Sequence, residues 1–151
     1  MSATITIQGL DRLQAGVAAA PATLAREVRA ALVASSALVK ATQQELAPRF
    51  TGETVESVAA TITATSASIG PRSPHGYYAD RGRRPGKQPP IAAIEPWARA
   101  KGLNPYLVAR AIGRHGTKGK EFVRPSLERN LAAIVKQFEG VGAKVVARMA
   151  A

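Results

Sequence analysis

The residues that could carry out chemistry are few and lie far apart in the chain. The two histidines, His75 and His115, both lie in glycine-containing segments, and neither has a second histidine or a carboxylate at helical metal-ligand spacing. The acidic residues are scattered, and several adjoin a basic residue, as on solvated helix faces. Since the pattern shows no acid–base pair, activated nucleophile or metal cluster, we expect no catalytic activity, no cofactor and no metal.

Residues 82–87, GRRPGK, are the part of the chain most similar to a phosphate-binding loop. They lack the G-x-x-x-x-G-K-[ST] spacing, a buried strand before the loop and a hydroxyl residue after Lys87. We therefore expect no nucleotide site there.

A basic field occupies one region of the chain. The net charge is +11, and residues 72–124 hold twelve Lys and Arg residues against three acids. Such a field attracts polyanions or acidic protein surfaces. At the start of this region, the Pro- and Gly-rich loop Gly70 to Pro90 is also a candidate for a merely mobile, solvated linker. The candidate contact residues are Arg72, Tyr77, Tyr78, Arg81, Arg83, Arg84, Lys87, Lys118, Lys120 and Arg124.

The composition is that of a small globular protein. The 151 residues predict one domain with a single modest core, and the low aromatic content with frequent alanine favours helices packed through small side chains. The absence of cysteine excludes disulfides and thiolate sites. We expect no signal peptide and no membrane-spanning helix, because neither apolar pattern occurs.

The N-terminal part predicts a strand followed by helices. Residues 3–8 alternate as in a short half-buried strand, and a first helical segment follows from Asp11 to about Ala20. Pro21 favours the start of a new helix, whose apolar residues recur at spacings of three and four up to Leu46. That helix should end at Ala47, because Pro48 disfavours helical geometry in the residue before it. The strand and long helix occupy residues 1–47.

The middle of the chain predicts a small sheet and a long loop. The sheet covers residues 50–71, with a strand at 57–65 and a short return strand at 68–70. Residues 72–90 show neither helical nor strand periodicity, and we expect a long basic loop.

The rest of the chain predicts helices. A helical segment over residues 91–115 divides at Gly102, with Asn104-Pro105 beginning its second helix, and a basic loop at 115–120 follows. The region 116–151 ends in a helix starting near Pro125, whose apolar stripe we expect to be intramolecular core. The stripe contains Leu127, Leu131, Ile134, Phe138, Val141 and Val145.

The two central helices also permit a helix-turn-helix interpretation. In it the chain is a small basic DNA-binding protein using residues 90–114. The phosphate contacts would come from Arg99, Lys101, Arg110 and Arg114. The second helix offers few base-reading side chains, since only Asn104 and Tyr106 lie at its start and most of the rest is apolar.

Three stretches in order resemble the tail-completion (head–tail joining, minor tail) proteins of long-tailed phages, prophages and related gene-transfer particles. Residues 46–58, LAPRFTGETVESV, are similar to the family's AP-x-x-TG-x-L-x-x-SI pattern, with valines at its leucine and isoleucine positions. Residues 70–82, GPRSPHGYYADRG, resemble its G-P…YA segment without the usual glutamate and threonine. Residues 116–128, GTKGKEFVRPSLE, are similar to GT-x-x-x-PF-LRPAL, with Glu121 in place of proline. Residues 89–102 also look like an insert of one branch of the family.

The resemblance implies a single α+β domain in which a long helix packs on a small antiparallel sheet and a C-terminal helix closes the fold. It implies a non-catalytic virion protein of the neck or proximal tail, made in the bacterial host cytoplasm. Its partners would be copies of itself in a six-fold ring around the DNA channel, and the adjoining rings: head stopper or adaptor, tail terminator or tube. Non-specific contact with packaged DNA is also implied, without a membrane or cofactor. We expect Arg81, Arg83, Arg84 and Lys87 of the basic loop to face either the channel or an acidic partner ring.

Overall fold

The computed structural model describes residues 10–50 and 52–150 and shows an α+β fold. Two two-stranded antiparallel sheets, β1–β2 and β3–β4, accompany the helices. The expected fold class is therefore confirmed, while the strand expected at residues 3–8 lies outside the described residues. In chain order the elements are α1 (Leu10–Leu46), α2 (Glu53–Glu56), β1 (Val58–Ile62), β2 (Ala67–Pro71), α3 (Pro74–Arg81), β3 (Gly82–Arg83), α4 (Ile91–Ala100), α5 (Pro105–His115), β4 (Thr117–Lys118) and α6 (Val123–Ala150).

The long N-terminal helix does not restart at Pro21. Helix α1 runs through this proline without interruption, so the prediction of a new helix there is wrong. A proline in a helix removes one backbone donor and clashes with the preceding turn, at a cost of about 3 kcal/mol. The alanines on both sides of Pro21 are the strongest helix formers, and they favour continuation of the helix across it. The predicted end near Ala47 is confirmed, since α1 ends at Leu46.

The chain forms two compact units. One comprises the described residues up to Leu38, residues 60–68 and the described residues from Arg129 onward; the other comprises residues 39–59 and 69–128. The single-domain expectation stays a prediction. In the first unit, Ala31, Leu32 and Val141 are buried, and the Arg148 guanidinium lies 3.2 Å from the buried Glu27 carboxylate. That ion pair joins α1 to α6.

The second unit, which contains every candidate contact residue, has a core of small and medium side chains. Helices α4 and α5 pack closely, and each buries an alanine, Ala98 and Ala109. These small buried side chains are consistent with the expected packing through alanine. Val58 and Phe122 are also buried, and Gln43 Nε2 donates a 3.2 Å hydrogen bond to the Ile69 carbonyl. The bond ties the end of α1 to β2.

The expected long basic loop is partly ordered secondary structure. Residues 72–90 contain helix α3 and strand β3, and the basic loop at residues 115–120 contains strand β4. The prediction of an element-free loop is therefore wrong over residues 74–83. Three further predicted elements are confirmed within a few residues: the β1–β2 hairpin, the pair α4 and α5, and α6, which begins at Val123.

The apolar stripe of α6 is not the intramolecular core that its spacing predicted. Leu127 and Leu131 are 50% and 55% exposed, and Val141 is the one stripe residue that is buried. Ile134, Phe138 and Val145 have intermediate exposure. The spacing identifies an apolar face but not what covers it. Within residues 10–50 and 52–150, no helix combines the length and hydropathy required to cross a membrane.

Candidate functional site

Helix α3 carries the tyrosine pair and the first cation of the site. Its start is set by Ser73, whose Oγ accepts a 3.1 Å hydrogen bond from the Gly76 N–H, with Pro74 in the first turn. Its end is set by Gly82, whose N–H donates to the Tyr78 carbonyl. About two turns of helix therefore present Tyr77, Tyr78 and Arg81 in the stretch expected to be a loop.

Gly82 is also the residue at which α3 meets β4. It has φ 74° and ψ −172°, a combination that is essentially restricted to glycine. A Cβ at this position would collide with the Thr117 carbonyl oxygen. The close approach lets β3 pair antiparallel with β4, with Gly82 opposite Lys118 and Arg83 opposite Thr117. Two basic segments that are distant in the sequence are thereby held side by side.

Asp80, the one acid of the expected loop, anchors this junction. Its Oδ1 accepts hydrogen bonds of 2.8 and 2.9 Å from the backbone N–H groups of Phe122 and Val123, where α6 begins. The Asp80 carbonyl accepts a 3.0 Å bond from the Glu121 N–H. A carboxylate at a helix N-terminus is favoured by the free N–H groups and the helix dipole. Asp80 thus fixes α3 to the start of α6, a role that the sequence did not indicate.

The resulting junction forms an open basic cleft of 610 Å³. We call it the arginine cleft. The Arg83 guanidinium lies 5.7 Å from the centroid of the Tyr78 ring, within cation–π distance, and donates a 2.6 Å hydrogen bond to the Lys87 carbonyl. The Tyr77 and Tyr78 rings meet edge to face, 5.6 Å apart. The cleft is lined by Tyr77, Tyr78, Arg81, Gly82, Arg83, Arg84, Pro85 and Thr117.

The arginine cleft brings together five of the ten sequence-predicted contact residues: Tyr77, Tyr78, Arg81, Arg83 and Arg84. Sequence reasoning missed three further lining residues, which the β3–β4 pairing and the turn after it contribute: Gly82, Pro85 and Thr117. No pattern within either segment shows this pairing.

The other predicted residues lie outside the lining of the arginine cleft. Arg72 follows β2 and donates its backbone N–H to the Ser57 carbonyl at 3.0 Å, and Lys87 contributes its carbonyl to Arg83. Lys118 lies in β4, and Lys120 lies in the turn after it; both are exposed. Whether any of these residues contacts a partner stays a prediction.

Arg124 lies with Arg81 in a separate depression of 260 Å³ that also contains Asp80 and Glu121. Its Nε donates a 2.7 Å hydrogen bond to Glu128. This bond and the negative charge of Glu128 raise the pKa of Arg124 above its usual range. Because Arg124 is already paired with Glu128, it contributes less positive potential to this surface than the arginines of the cleft do.

The helix-turn-helix interpretation has the two helices but weak base-reading chemistry. Asn104 Oδ1 accepts a 2.9 Å hydrogen bond from the Tyr106 N–H and so acts as the N-cap of α5. Arg99 is in an ion pair with Glu95 on its own helix. Tyr106 and Leu107 are the most exposed large apolar side chains of α5, at 68% and 63%. An exposed apolar face suits a protein contact better than a phosphate backbone.

Glu121 stands where the GT-x-x-x-PF-LRPAL pattern has proline. It has φ 47°, the one positive φ of a non-glycine residue among the described residues. Proline is fixed near φ −65° and has no N–H. Proline at this position would therefore need a different backbone and would lose the bond to the Asp80 carbonyl.

The described residues contain no group of three or more His, Asp or Glu side chains that could hold a metal ion. Comparison of the chain with protein-family models, with curated proteins and with solved structures gives no match. The features that bear on function are therefore the fold, the arginine cleft and the exposed helix faces.

Proposed function

We propose that this chain is a structural virion protein of the neck or proximal tail, a subunit of a homo-oligomeric, six-fold ring that completes the tail and joins it to the head. The resemblance at residues 46–58, 70–82 and 116–128 motivates the proposal. The α+β fold that this resemblance implies, with a long helix, a small antiparallel sheet and a C-terminal helix, is consistent with the observed element order.

The observation that carries an assembly role is the exposed stripe on α6. Leu127, Leu131 and Val135 are each about half exposed and follow one another at spacings of four, so they lie on one face of the helix. A single exposed leucine is ordinary, but a contiguous row marks an interaction surface. In a ring each subunit presents one surface to the next copy and a different surface to the previous one. An unpartnered apolar helix face is what such a subunit requires.

The arginine cleft supports the position of this ring beside an acidic neighbour or the DNA channel. Arg81 and Arg84 are exposed in the cleft, and among the described residues no salt bridge involves either of them. Phosphate attraction is independent of base sequence, so a DNA channel needs no base-reading side chains. The same cations would attract the acidic surface of an adjoining ring protein.

The first experiment is electron microscopy of a lysate from a host whose particle-encoding locus lacks only this gene. We expect filled heads and finished but unattached tails, with joining restored when the gene is supplied in trans. Normal joined particles from the deletion host would overturn the proposed function.

A pair of charge-reversal variants separates this proposal from the DNA-reader alternative. Arg81→Glu/Arg84→Glu alters the arginine cleft, and Arg110→Glu/Arg114→Glu alters α5 with the same change in net charge. All four side chains are exposed, so both proteins should fold. We expect the first pair to block joining in the complementation assay and the second to support it. The opposite result, with weaker DNA binding by the α5 pair, would favour the helix-turn-helix function.

A further inference from the structure

An apolar pocket opens beside the arginine cleft. It has a volume of 260 Å³ and shares Tyr78, Arg83 and Thr117 with the cleft. Its remaining lining is largely aliphatic and includes Pro74, Pro90 and Ile94. We call it the proline pocket. The cationic cleft and the apolar pocket thus share Tyr78 and Arg83 as lining residues.

Hydrogen bonds hold the walls of the proline pocket in place. The Gly86 N–H donates a 2.8 Å bond to the Gly113 carbonyl, which ties the turn after β3 to the end of α5. Arg83 bonds the Lys87 carbonyl across that same turn. These bonds restrain Arg83 and the end of α5 next to the lining residue Ile112, and restraint of these walls lowers the entropic cost of binding.

We propose that the arginine cleft and the proline pocket form one bipartite site for an acidic peptide segment that carries a single large apolar anchor residue. Carboxylates of the segment pair with Arg81 and Arg84, while the anchor side chain fills the proline pocket. Arginine suits this recognition because its guanidinium binds carboxylates through two parallel hydrogen bonds. The inference rests on the proposed neck function, since the natural segment would belong to an adjoining neck or tail protein.

The geometry favours a peptide over nucleic acid. A duplex presents phosphates and sugars to a surface cleft, and its thymine methyl groups lie inside the major groove, so it has no projecting aliphatic side chain to fill the proline pocket. Single-stranded nucleic acid binds through bases stacked on open aromatic faces. Here the Arg83 guanidinium lies over the Tyr78 ring, and Tyr77 meets that ring at an interplanar angle of 81°, so the two rings do not form a parallel platform for successive bases. Tyr77 is 58% exposed, and the single-stranded DNA probe below tests whether it stacks a base.

The test is a fluorescence-anisotropy titration of the purified full chain at about 150 mM salt, where long-range attraction is screened. The probes are a labelled peptide with one leucine flanked by glutamates, the same peptide with alanine in place of leucine, and labelled duplex and single-stranded DNA. We expect the leucine peptide to bind at least about tenfold more tightly than the alanine peptide, because the pocket discriminates by apolar size. Equal affinity for the two peptides, no binding of the leucine peptide, or its displacement by either DNA would overturn the proposal.

A matched pair of variants places the anchor in the proline pocket. Pro90→Asp puts a carboxylate in the pocket lining, and aspartate is a favoured residue at the N-cap of α4, the position of Pro90. Ala92→Asp makes the same charge change on an exposed face of α4 outside that lining. We expect Pro90→Asp to weaken the leucine peptide about tenfold and to abolish its advantage over the alanine peptide, whereas Ala92→Asp preserves that advantage. An equal effect of both variants would overturn the assignment.

The deletion host distinguishes failure of this site from failure of the proposed function. If the deletion blocks joining and Pro90→Asp restores it as well as Ala92→Asp does, the neck role stands and the peptide site is wrong. If the deletion has no effect on particles, the neck role is wrong, and the titration still decides the chemistry of the site.

Discussion

Replacement of Asp80 by alanine should destabilise the second compact unit and disorganise the arginine cleft. The Asp80 carboxylate accepts two backbone hydrogen bonds from Phe122 and Val123, and the adjoining backbone bond from Glu121 depends on the same approach of α3 to α6. Alanine leaves both N–H groups without this acceptor. The perturbation therefore tests whether one carboxylate holds the two basic segments together.

The expected magnitude follows from the two bonds. A hydrogen bond to a charged group contributes about 1.5–3 kcal/mol, and partial exposure of this pair favours the lower end. Two such bonds predict a loss of about 3 kcal/mol for Asp80→Ala. Asparagine keeps an oxygen acceptor and is an equally good N-cap. Asp80→Asn should therefore lower the free energy of unfolding by about 1 kcal/mol or less, because it removes only the interaction of the negative charge with the helix dipole.

The assay is thermal unfolding followed by circular dichroism, together with amide hydrogen exchange at Phe122 and Val123. For a chain of this size, about 3 kcal/mol corresponds to a fall in Tm of roughly 6–12 °C. Exchange at both amides should accelerate in Asp80→Ala and much less in Asp80→Asn. Glu139→Ala, an exposed carboxylate on α6, serves as the control and should stay within about 0.5 kcal/mol of the parent. If Asp80→Ala unfolds with the parent and protects both amides equally well, the anchoring role is refuted.

Two backbone positions give further predictions, each measured by thermal unfolding. Gly82→Ala should cost about 3 kcal/mol, because its φ of 74° and the Thr117 carbonyl both exclude a Cβ, whereas Gly70→Ala, with open space around it, should be near neutral; equal Tm values for these two variants would contradict the close approach of β3 to β4. Glu121→Gly should stay within about 0.5 kcal/mol of the parent, because relief at φ 47° and added freedom of the unfolded chain nearly cancel. Glu121→Pro should lose about 3 kcal/mol or more, since proline is incompatible with that φ and removes the N–H that donates to the Asp80 carbonyl. A Glu121→Pro protein as stable as the parent would contradict the positive φ and the hydrogen bond at this position.

Long elements with a strong period could be predicted from the sequence, whereas short ones could not. The α5 and α6 helices, the part of α1 after Pro21 and the β1–β2 hairpin follow from spacing and turn residues, whereas the continuation of α1 through Pro21 does not. Helix α3 has only eight residues and no apolar stripe, so its period gave no signal. The start signal Ser73-Pro74 and the stop residue Gly82 were present in the sequence, but proline and glycine also mark loops. The separation between Ser73-Pro74 and Gly82, which suits a short helix, was therefore the only sequence feature that indicated α3.

The sequence predicts which region contains the candidate site but not how its residues are arranged in space. Composition alone indicated a basic stretch with a tyrosine pair, and the structure places Tyr77, Tyr78, Arg81, Arg83 and Arg84 in one cleft. Which cations share the cleft depends on the pairing of residues 82–83 with 117–118, a tertiary contact across more than thirty residues. The role of Asp80 depends on the same contact. Local pattern cannot reveal either, because neither is a property of one segment.

The α6 stripe shows why a correct pattern can give a wrong location. The spacings of four and three from Leu127 to Val145 are those of a helix that packs on another helix, and they are silent about which chain supplies the partner. Burial of Val141 against half exposure of Leu127 and Leu131 shows that the described chain satisfies only part of this face. A leucine that stays in water gains nothing from the apolar row around it, whereas its burial is worth roughly 1.5–3 kcal/mol. The proposed ring therefore predicts that Leu127 and Leu131 become buried when copies of the chain assemble.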